Sequence, residues 1–432
     1  MAHTAVLATL MAPTEELFVQ FGDDPVGRLR IDEGGRFCFA YDAPWRTNRD
    51  AFPISLSLPL RAEEYIGGSG HTFFANLLPE GGARQAVCRR LGISEANDFA
   101  LLRAIGGECA GALSIVTKAR PRRSEPRYEP LGDKRLQQLV ESDDIVPLLI
   151  GGESTRLSLA GAQDKLPVTV IEGEIHLPID GAPSTHILKL PNRRYAHLPI
   201  NEAFVMELAA RMGLDVVKTE LCTRTNPPSL LVKRYDRRQS ADEGPVVRLH
   251  QEDVCQALGL PPTQKYEQEG GPTLAATIEL ARSSVSQPGL DVLRLIQWQA
   301  FNVVAGNADG HGKNLSILYE GRDASIAPFY DLVSTRHYKG LDAKLAMSVG
   351  GSRDMGELHR VHWETLARDV GIAARVVIEA VQEIVERCTE TLGSWSKEFR
   401  ERYGKRPILQ TLPDSIKRRA RGVSRRLIAP TR

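Results

Sequence analysis

The sequence predicts an α+β protein of two lobes, a β-rich N-terminal lobe followed by an all-helical C-terminal lobe. Three observations lead there. Short apolar runs bounded by turn residues dominate the first half of the chain. One strong four-residue periodicity interrupts them at Asn201–Met212. From about Leu249 onward the periodicity is mainly helical. A length of 432 residues allows two or three domains, expected as 1–125, 126–237 and 238–432.

In chain order, Leu17-Phe18-Val19 and Phe37-Cys38-Phe39 read as strands around the turn Asp32-Glu33-Gly34-Gly35. Helical text runs from about Phe73 to Ala104, broken near Pro79 and Gly81-Gly82. The Arg- and Pro-rich stretch Lys118–Pro130 reads as an exposed connector. A polar helix near Lys134–Ser142 precedes the β-like runs Leu166–Val170, Ile187–Leu190 and Leu230–Val232. In the helix between them Phe204, Leu208 and Met212 share a face, with Pro199 before it and Gly213 placed to cap it. Asp291 is placed to cap a helix carrying Leu293, Ile296, Ala300, Phe301 and Val304. A late helix covers about Ala373–Leu392.

With 42% hydrophobic and 25% charged residues, neither a disordered chain nor a fibre fits. The net charge of +1 argues against a molecule that coats nucleic acid as a whole. The six cysteines form no Cys-x-x-Cys pair, which reads as packed, reduced thiols without a disulfide frame or a zinc site. The apolar run Ala5–Ala12 lacks a basic flank and meets Glu15 and Glu16, so it does not read as a signal peptide. No stretch approaches the roughly 20 apolar residues of a membrane helix. The expectation is a cytoplasmic protein with no membrane contact.

The most informative stretch is Gly306-Asn307-Ala308-Asp309-Gly310-His311-Gly312-Lys313-Asn314, where the Leu293–Val304 helix ends. An Asp followed five residues later by an Asn is the spacing of a kinase catalytic loop. Asp309 would accept the proton of an attacking hydroxyl, and the Asn314 side-chain oxygen would hold Mg²⁺. The plain alternative is an Asx-rich turn without chemistry. Ile326-Ala327-Pro328-Phe329-Tyr330-Asp331 delivers a carboxylate at the end of an apolar run, suited to a second Mg²⁺ contact. Upstream, Ser158-Leu159-Ala160-Gly161-Ala162-Gln163-Asp164-Lys165 is a small-residue loop whose amides can face phosphate oxygens. Lys189, flanked by apolar residues, needs an anion, either ATP phosphates or the helix carboxylate Glu202.

These segments resemble the HipA serine/threonine kinases of bacterial toxin–antitoxin modules. The resemblance is carried by Ile54–Leu60, Phe73–Gly81, Ser158–Lys165, Thr185–Pro191, Lys233–Asp236, Asn307–Asn314 and Pro328–Asp331, in family order across roughly residues 15 to 400. It implies a bilobed protein-kinase-like fold using ATP and Mg²⁺. Asp309 is then the catalytic base, with Asn314 and Asp331 as metal ligands. Ala160, Gly161, Ala162, Gln163, Asp164 and Lys165 become the phosphate loop, and Lys189 a phosphate contact. Lys233, Arg234 and Tyr235 fall at the adenine hinge, with Tyr330 a further cofactor contact. His311 and Lys313 fall near the phosphates, and Ser158 at the family's autophosphorylated serine. Lys233 departs from the family, whose members often carry an acidic residue there.

The resemblance also implies a helix-turn-helix antitoxin, operator DNA bound mainly through it, and a protein substrate such as an aminoacyl-tRNA synthetase. The basic run Lys417–Arg426 is able to touch phosphates, although a solvated basic helix is the plainer reading. Two other functions stand beside the leading one: a small-molecule phosphotransferase, and a catalytically silent corepressor scaffold.

Overall fold

Alternation of inward and outward side chains builds the first sheet. In β1 (Glu16–Phe21), Leu17 and Val19 are fully buried and Phe18 between them is not. It pairs with β2 (Asp24–Ile31), which pairs with β3 (Phe37–Tyr41). The turn joining β2 to β3 is tied by Asp32, whose carboxylate accepts hydrogen bonds from the amides of Gly34 and Arg36. With β4 (Tyr65–Ile66) and β5 (Leu113–Val116) the order is β4-β3-β2-β1-β5, antiparallel throughout. The helices α1 (Ala43–Thr47), α2 (Gly68–Ala75), α3 (Gly81–Leu91) and α4 (Asp98–Ile105) lie between β3 and β5. The computed structural model describes residues 15–118, 125–142, 165–191, 194–239 and 246–428.

A second antiparallel sheet follows. It comprises β6 (Arg127–Pro130), β7 (Lys165–Ile171), β8 (Glu174–Ile179), β9 (His186–Lys189), β10 (Thr219–Cys222) and β11 (Ser229–Lys233), in the order β10-β11-β9-β7-β8-β6. The stretch expected to be an exposed connector therefore ends in an edge strand, β6, where Pro130 is tolerated because one side of an edge strand has no partner. The helix α5 (Asp133–Ser142) follows β6. Both faces of this sheet are covered. Leu166, Val168 and Leu188 pack into one apolar core with Leu17, Phe39 and Phe74 of the N-terminal unit. Leu221, Leu230 and Val232 pack with α6 (Leu198–Arg211) and the C-terminal helices. The core thus crosses the boundary expected near residue 125.

The C-terminal lobe is not all-helical. β14 (His250–Asp253) pairs with β15 (Ser316–Glu320), which pairs with β16 (Asp323–Ile326). A two-stranded ribbon, β12 (Arg237–Gln239) with β13 (Val246–Arg248), precedes them. The strand at His250–Asp253 has no apolar alternation to betray it, since all four of its residues are polar and buried. The helices here are α7 (Val254–Ala257), α8 (Leu274–Ser284), α9 (Pro288–Ala305), α10 (Arg360–Asp369), α11 (Ala374–Tyr403) and α12 (Leu412–Ile428). Pro199 lies inside the first turn of α6 rather than before it, where its missing N–H costs nothing. Asp291 does not cap α9; Gln287 stands at that position, and the buried Asp291 carboxylate accepts from Arg294 and the Ile326 amide. Two of the six cations in the expected basic run turn inward on α12. Arg419 donates to the carbonyls of Val304 and Ala305 at the end of α9, and Arg426 to those of Leu358 and Met355. Lys417, Arg418, Arg421 and Arg425 remain exposed. All six cysteines are free and buried. Among the described residues no helix is long and apolar enough to cross a membrane.

Two polar clusters fasten the N-terminal unit. Glu108, fully buried, sits among the guanidiniums of Arg234, Arg237 and Arg248. Burial alone would raise its carboxyl, but the three cations outweigh that and hold it at about 2. Glu252 of β14 accepts from the Ser55 hydroxyl, the Leu56 amide and the Tyr319 hydroxyl. Here no cation among the described residues answers the charge, and burial pushes the carboxyl up to about 7.

That difference yields a prediction. Folded Glu252 holds its proton more tightly than the unfolded chain does, so this contribution to stability is fully present at acid pH and lost as pH rises through 7. Glu252→Gln lacks the term. The stability of the wild type relative to Glu252→Gln should fall by up to about 3 kcal/mol between pH 5 and pH 8. Urea titrations of both proteins at each pH measure it, and a flat difference would contradict the assignment. Comparing the two cancels His250, whose burial pushes its imidazole to about 4 and acts in the opposite sense.

Candidate active site

The loop after α9 is a rigid shelf. Gly306 takes a φ of +75° and accepts no side chain, because a Cβ there would lie 2.5 Å from the Arg419 guanidinium. The amides of Gly306 and Asn307 return to the Asn302 carbonyl, ending the helix in a left-handed cap. From there to Asn314 every residue is buried except Asp309. The Asp309 amide donates to the Asn307 side chain, and the Asn314 carboxamide nitrogen donates to the Asp309 carbonyl at 2.8 Å. The nitrogen of Asn314 is thereby turned to the backbone, leaving its oxygen as the free donor atom.

Asp331 comes to the same cleft from the segment after β16. It is one of four non-glycine residues with positive φ among those described, at +56°, a conformation that costs a side chain energy unless its surroundings hold it. What holds it is Lys189 on β9, whose ammonium donates to the Asp331 carboxylate and to Glu202 on α6, the latter at 2.5 Å. Lys165 adds a second cation 3.5 Å from Asp331. Lys189 and Glu202 are 3% and 1% exposed, so neither charge can be left to water. Burial disfavours the Lys189 ammonium, yet Asp331 and Glu202 keep it protonated far up the scale. Burial likewise opposes the Asp331 anion, and Lys165 with Lys189 overcomes it, holding the carboxyl well below the usual range. Glu202 goes the other way, raised by burial. Asp331 is therefore the anionic partner that faces the cleft.

The cleft has a volume of about 540 Å³ and is lined by Lys165, Lys189, Asp309, Asn314, Tyr330 and Asp331 among others. Tyr235 and Tyr330 stack within it, centroids 5.7 Å apart and planes at 20°. The Tyr330 hydroxyl donates to the Lys313 carbonyl and so pins the loop from beneath. The side chains of Asn314 and Asp331 offer hard oxygen donors of the kind that suit a hard divalent cation. His311 is buried, its imidazole pushed to about 4 by desolvation, and its Nδ1 meets no partner among the described residues.

Three residues expected in contact with a nucleotide line the cleft but have polar groups bonded within the protein. The Arg234 guanidinium lies in the buried Glu108–Asp236 cluster, so only its backbone can border the cleft. The amides of Lys233 and Arg234 donate to the carbonyls of Lys218 and Thr185. The Lys313 ammonium turns to the N-terminal unit, bonding the carbonyl and side-chain oxygens of Asn76 at 3.0 and 2.7 Å, with Asp253 at 3.1 Å and Glu80 at 3.5 Å. Ser158 and Ala160, Gly161, Ala162, Gln163 and Asp164 lie outside the described residues.

Sequence reasoning did not point to Asn76, Glu80, Asp253, Lys265 or Tyr266. Phe73–Gly81 carried part of the resemblance, but no role. Lys265-Tyr266 sits between Pro261-Pro262 and Gly270-Gly271-Pro272, punctuation that marks a loop and nothing about its contacts.

The model of the HipA N-terminal domain matches residues 17–116, and that of the HipA-like C-terminal domain matches residues 157–392. The chain belongs to the HipA family of kinases. It is 41% identical over 405 residues to Y4mE, a candidate kinase of Sinorhizobium fredii, covering 92% of this chain and 95% of that one. It is 31% identical over 396 residues to the serine/threonine-protein kinase toxin HipA of Shewanella oneidensis, covering 88% and 89%. Among solved structures it resembles Shewanella oneidensis HipA in complex with HipB and operator DNA. There the TM-score is 0.79 at 28% identity, over 94% of this chain and 97% of that one.

The shared cation makes a testable claim. Lys189→Met would strand two carboxylates, one of them 1% exposed, and should cost about 3–5 kcal/mol of unfolding free energy. Adding Glu202→Gln should recover a substantial part of that loss. Denaturant unfolding of the single and double variants checks both; an unaltered midpoint in Lys189→Met would refute the arrangement.

Proposed function

We propose that this protein is an ATP-dependent serine/threonine protein kinase that acts as a growth-arresting toxin. The supporting observation is the convergence of Asp309, Asn314 and Asp331, from two loops, with the Lys189–Glu202 pair, from the second sheet and α6, in one cleft. Phosphoryl transfer asks a protein for position and charge compensation rather than covalent chemistry, and that is what this set supplies.

Asn314 and Asp331 would hold Mg²⁺, which when bound supplies charge neutralisation at the phosphates. Lys189 is kept cationic and aimed by Glu202, and would face phosphate oxygens together with Lys165. Asp309 is the exposed carboxylate of a buried loop, placed to accept the proton of an incoming serine or threonine hydroxyl. With the amides of Lys233 and Arg234 engaged, adenine recognition would fall to the hinge carbonyls, the Tyr235 amide and the stacked rings of Tyr235 and Tyr330. The unpartnered His311 Nδ1 is a buried polar atom that a phosphate oxygen would satisfy. Phosphorylation of Ser158 would put negative charge beside the phosphate loop and repel ATP.

The complex of Shewanella oneidensis HipA with HipB and operator DNA supports a HipB-like antitoxin as partner, with DNA held mainly through it. The substrate we propose is a translation component such as an aminoacyl-tRNA synthetase, and the site of action the cytoplasm.

Asp309→Asn should lower phosphoryl transfer roughly 10²–10⁴-fold, while affinity for ATP stays within a few-fold. Labelled ATP incubated with the protein and a cell lysate, with and without EDTA, gives the readout. Label on protein that vanishes with EDTA or Asp309→Asn supports the reading. Label confined to small solutes would favour a small-molecule phosphotransferase, and absence of Mg²⁺-dependent ATP binding a silent scaffold.

A further inference from the structure

The segment Lys265–Tyr266 lies across the catalytic loop without belonging to it. The Tyr266 hydroxyl donates to Asp309 Oδ1 at 2.7 Å. The Lys265 carbonyl accepts from the Gly312 amide at 3.1 Å, an approach open because a Cβ on Gly312 would lie 2.5 Å from Pro272. The Lys265 ammonium reaches Glu80 Oε2 at 2.8 Å, on the N-terminal unit. On its far side the segment is tied by the Glu267 carboxylate, which accepts from the amide and hydroxyl of Ser348. The Tyr266 ring stands edge-on to His311, centroids 5.0 Å apart.

We propose that Tyr266 is a positioning residue for the Asp309 carboxylate, and that Glu80 of the N-terminal unit holds Tyr266 in place through Lys265. The proposal rests on the kinase reading above, which makes Asp309 the base. Asp309 is the exposed member of a buried loop, so nothing in the packing of the loop fixes its side-chain rotamer. One hydrogen bond from a rigid phenol does so. It takes Oδ1 and leaves Oδ2, which meets no partner among the described residues, for the acceptor hydroxyl. Burial and the nearby Asp309 charge raise the phenol's pKa, so it stays protonated and donates. Glu80 also faces Lys313, within the loop itself, at 3.5 Å. One carboxylate of the N-terminal unit therefore grips the catalytic loop from within and from across, and the unit completes the active site.

The test uses the full chain carrying Tyr266→Phe, Glu80→Gln or Asp309→Asn, and the doubles with Asp309→Asn. Single-turnover self-phosphorylation with labelled ATP gives the rate, and mant-ATP fluorescence the nucleotide affinity. Tyr266→Phe should slow transfer roughly 10- to 100-fold with mant-ATP affinity within twofold. In the Asp309→Asn background it should have no further effect, because residues that act through one group are not additive. A normal rate in Tyr266→Phe, or an equal loss in both backgrounds, overturns the proposal. Hydrogen exchange of residues 306–314 judges it even if the chain transfers no phosphate, an outcome that would sink the kinase reading instead. Both Tyr266→Phe and Glu80→Gln should speed exchange in that loop at least several-fold. Unchanged protection in either variant would overturn the positioning role.

Discussion

One ammonium shared between two carboxylates organises the cleft. Lys189 stands on β9, Glu202 on α6 and Asp331 after β16, and none of these elements touches another in sequence. Removing any one member would leave a charge in a place that water barely reaches, so the three elements have a single mutual arrangement that satisfies them. The positive φ of Asp331 shows the backbone yielding to that demand. The pair of tyrosines, the loop bearing Asp309 and the second cation at Lys165 are then all referred to the same point.

Around this centre the N-terminal unit behaves as a wall of the site rather than an appendage. It shares an apolar core with one face of the second sheet. Glu108 fixes it to Arg234 and Arg237, and Ser55 and Leu56 dock on Glu252. Asn76 and Glu80 enclose Lys313 between the two residues that would do chemistry. Arg419 closes the opposite side by completing the end of α9. The loop that carries Asp309 and Asn314 is thus clamped at both flanks by buried or half-buried cationic side chains.

Much of this was legible in the residues, and the failures share a cause. The loop spacing of Asp309 and Asn314, the apolar run ending at Asp331, the cation at Lys189 and even its pairing with Glu202 could be read, because each is a local pattern or an awkward charge needing an answer. The all-helical expectation for the second lobe failed at His250–Asp253, whose four polar residues become a buried strand through hydrogen bonds and ion pairs supplied from afar. Arg234 and Lys313 line the cleft as expected, while their internal pairing went unread, since a cation near such a site reads the same whether it faces a ligand or a carboxylate behind it. Tyr266 left no local signal, because its importance lies in an oxygen 43 residues away.

By itself, then, the sequence determined the chemistry available: a carboxylate and a carboxamide five residues apart, a delivered carboxylate, a lysine among apolar neighbours, and glycines at close approaches. Those are short-range facts, set by spacing and side-chain type. Only the tertiary structure decided which of many charged groups face the cleft and which neutralise one another in the interior. That choice depends on burial, and burial is a property of how distant segments pack rather than of any one of them.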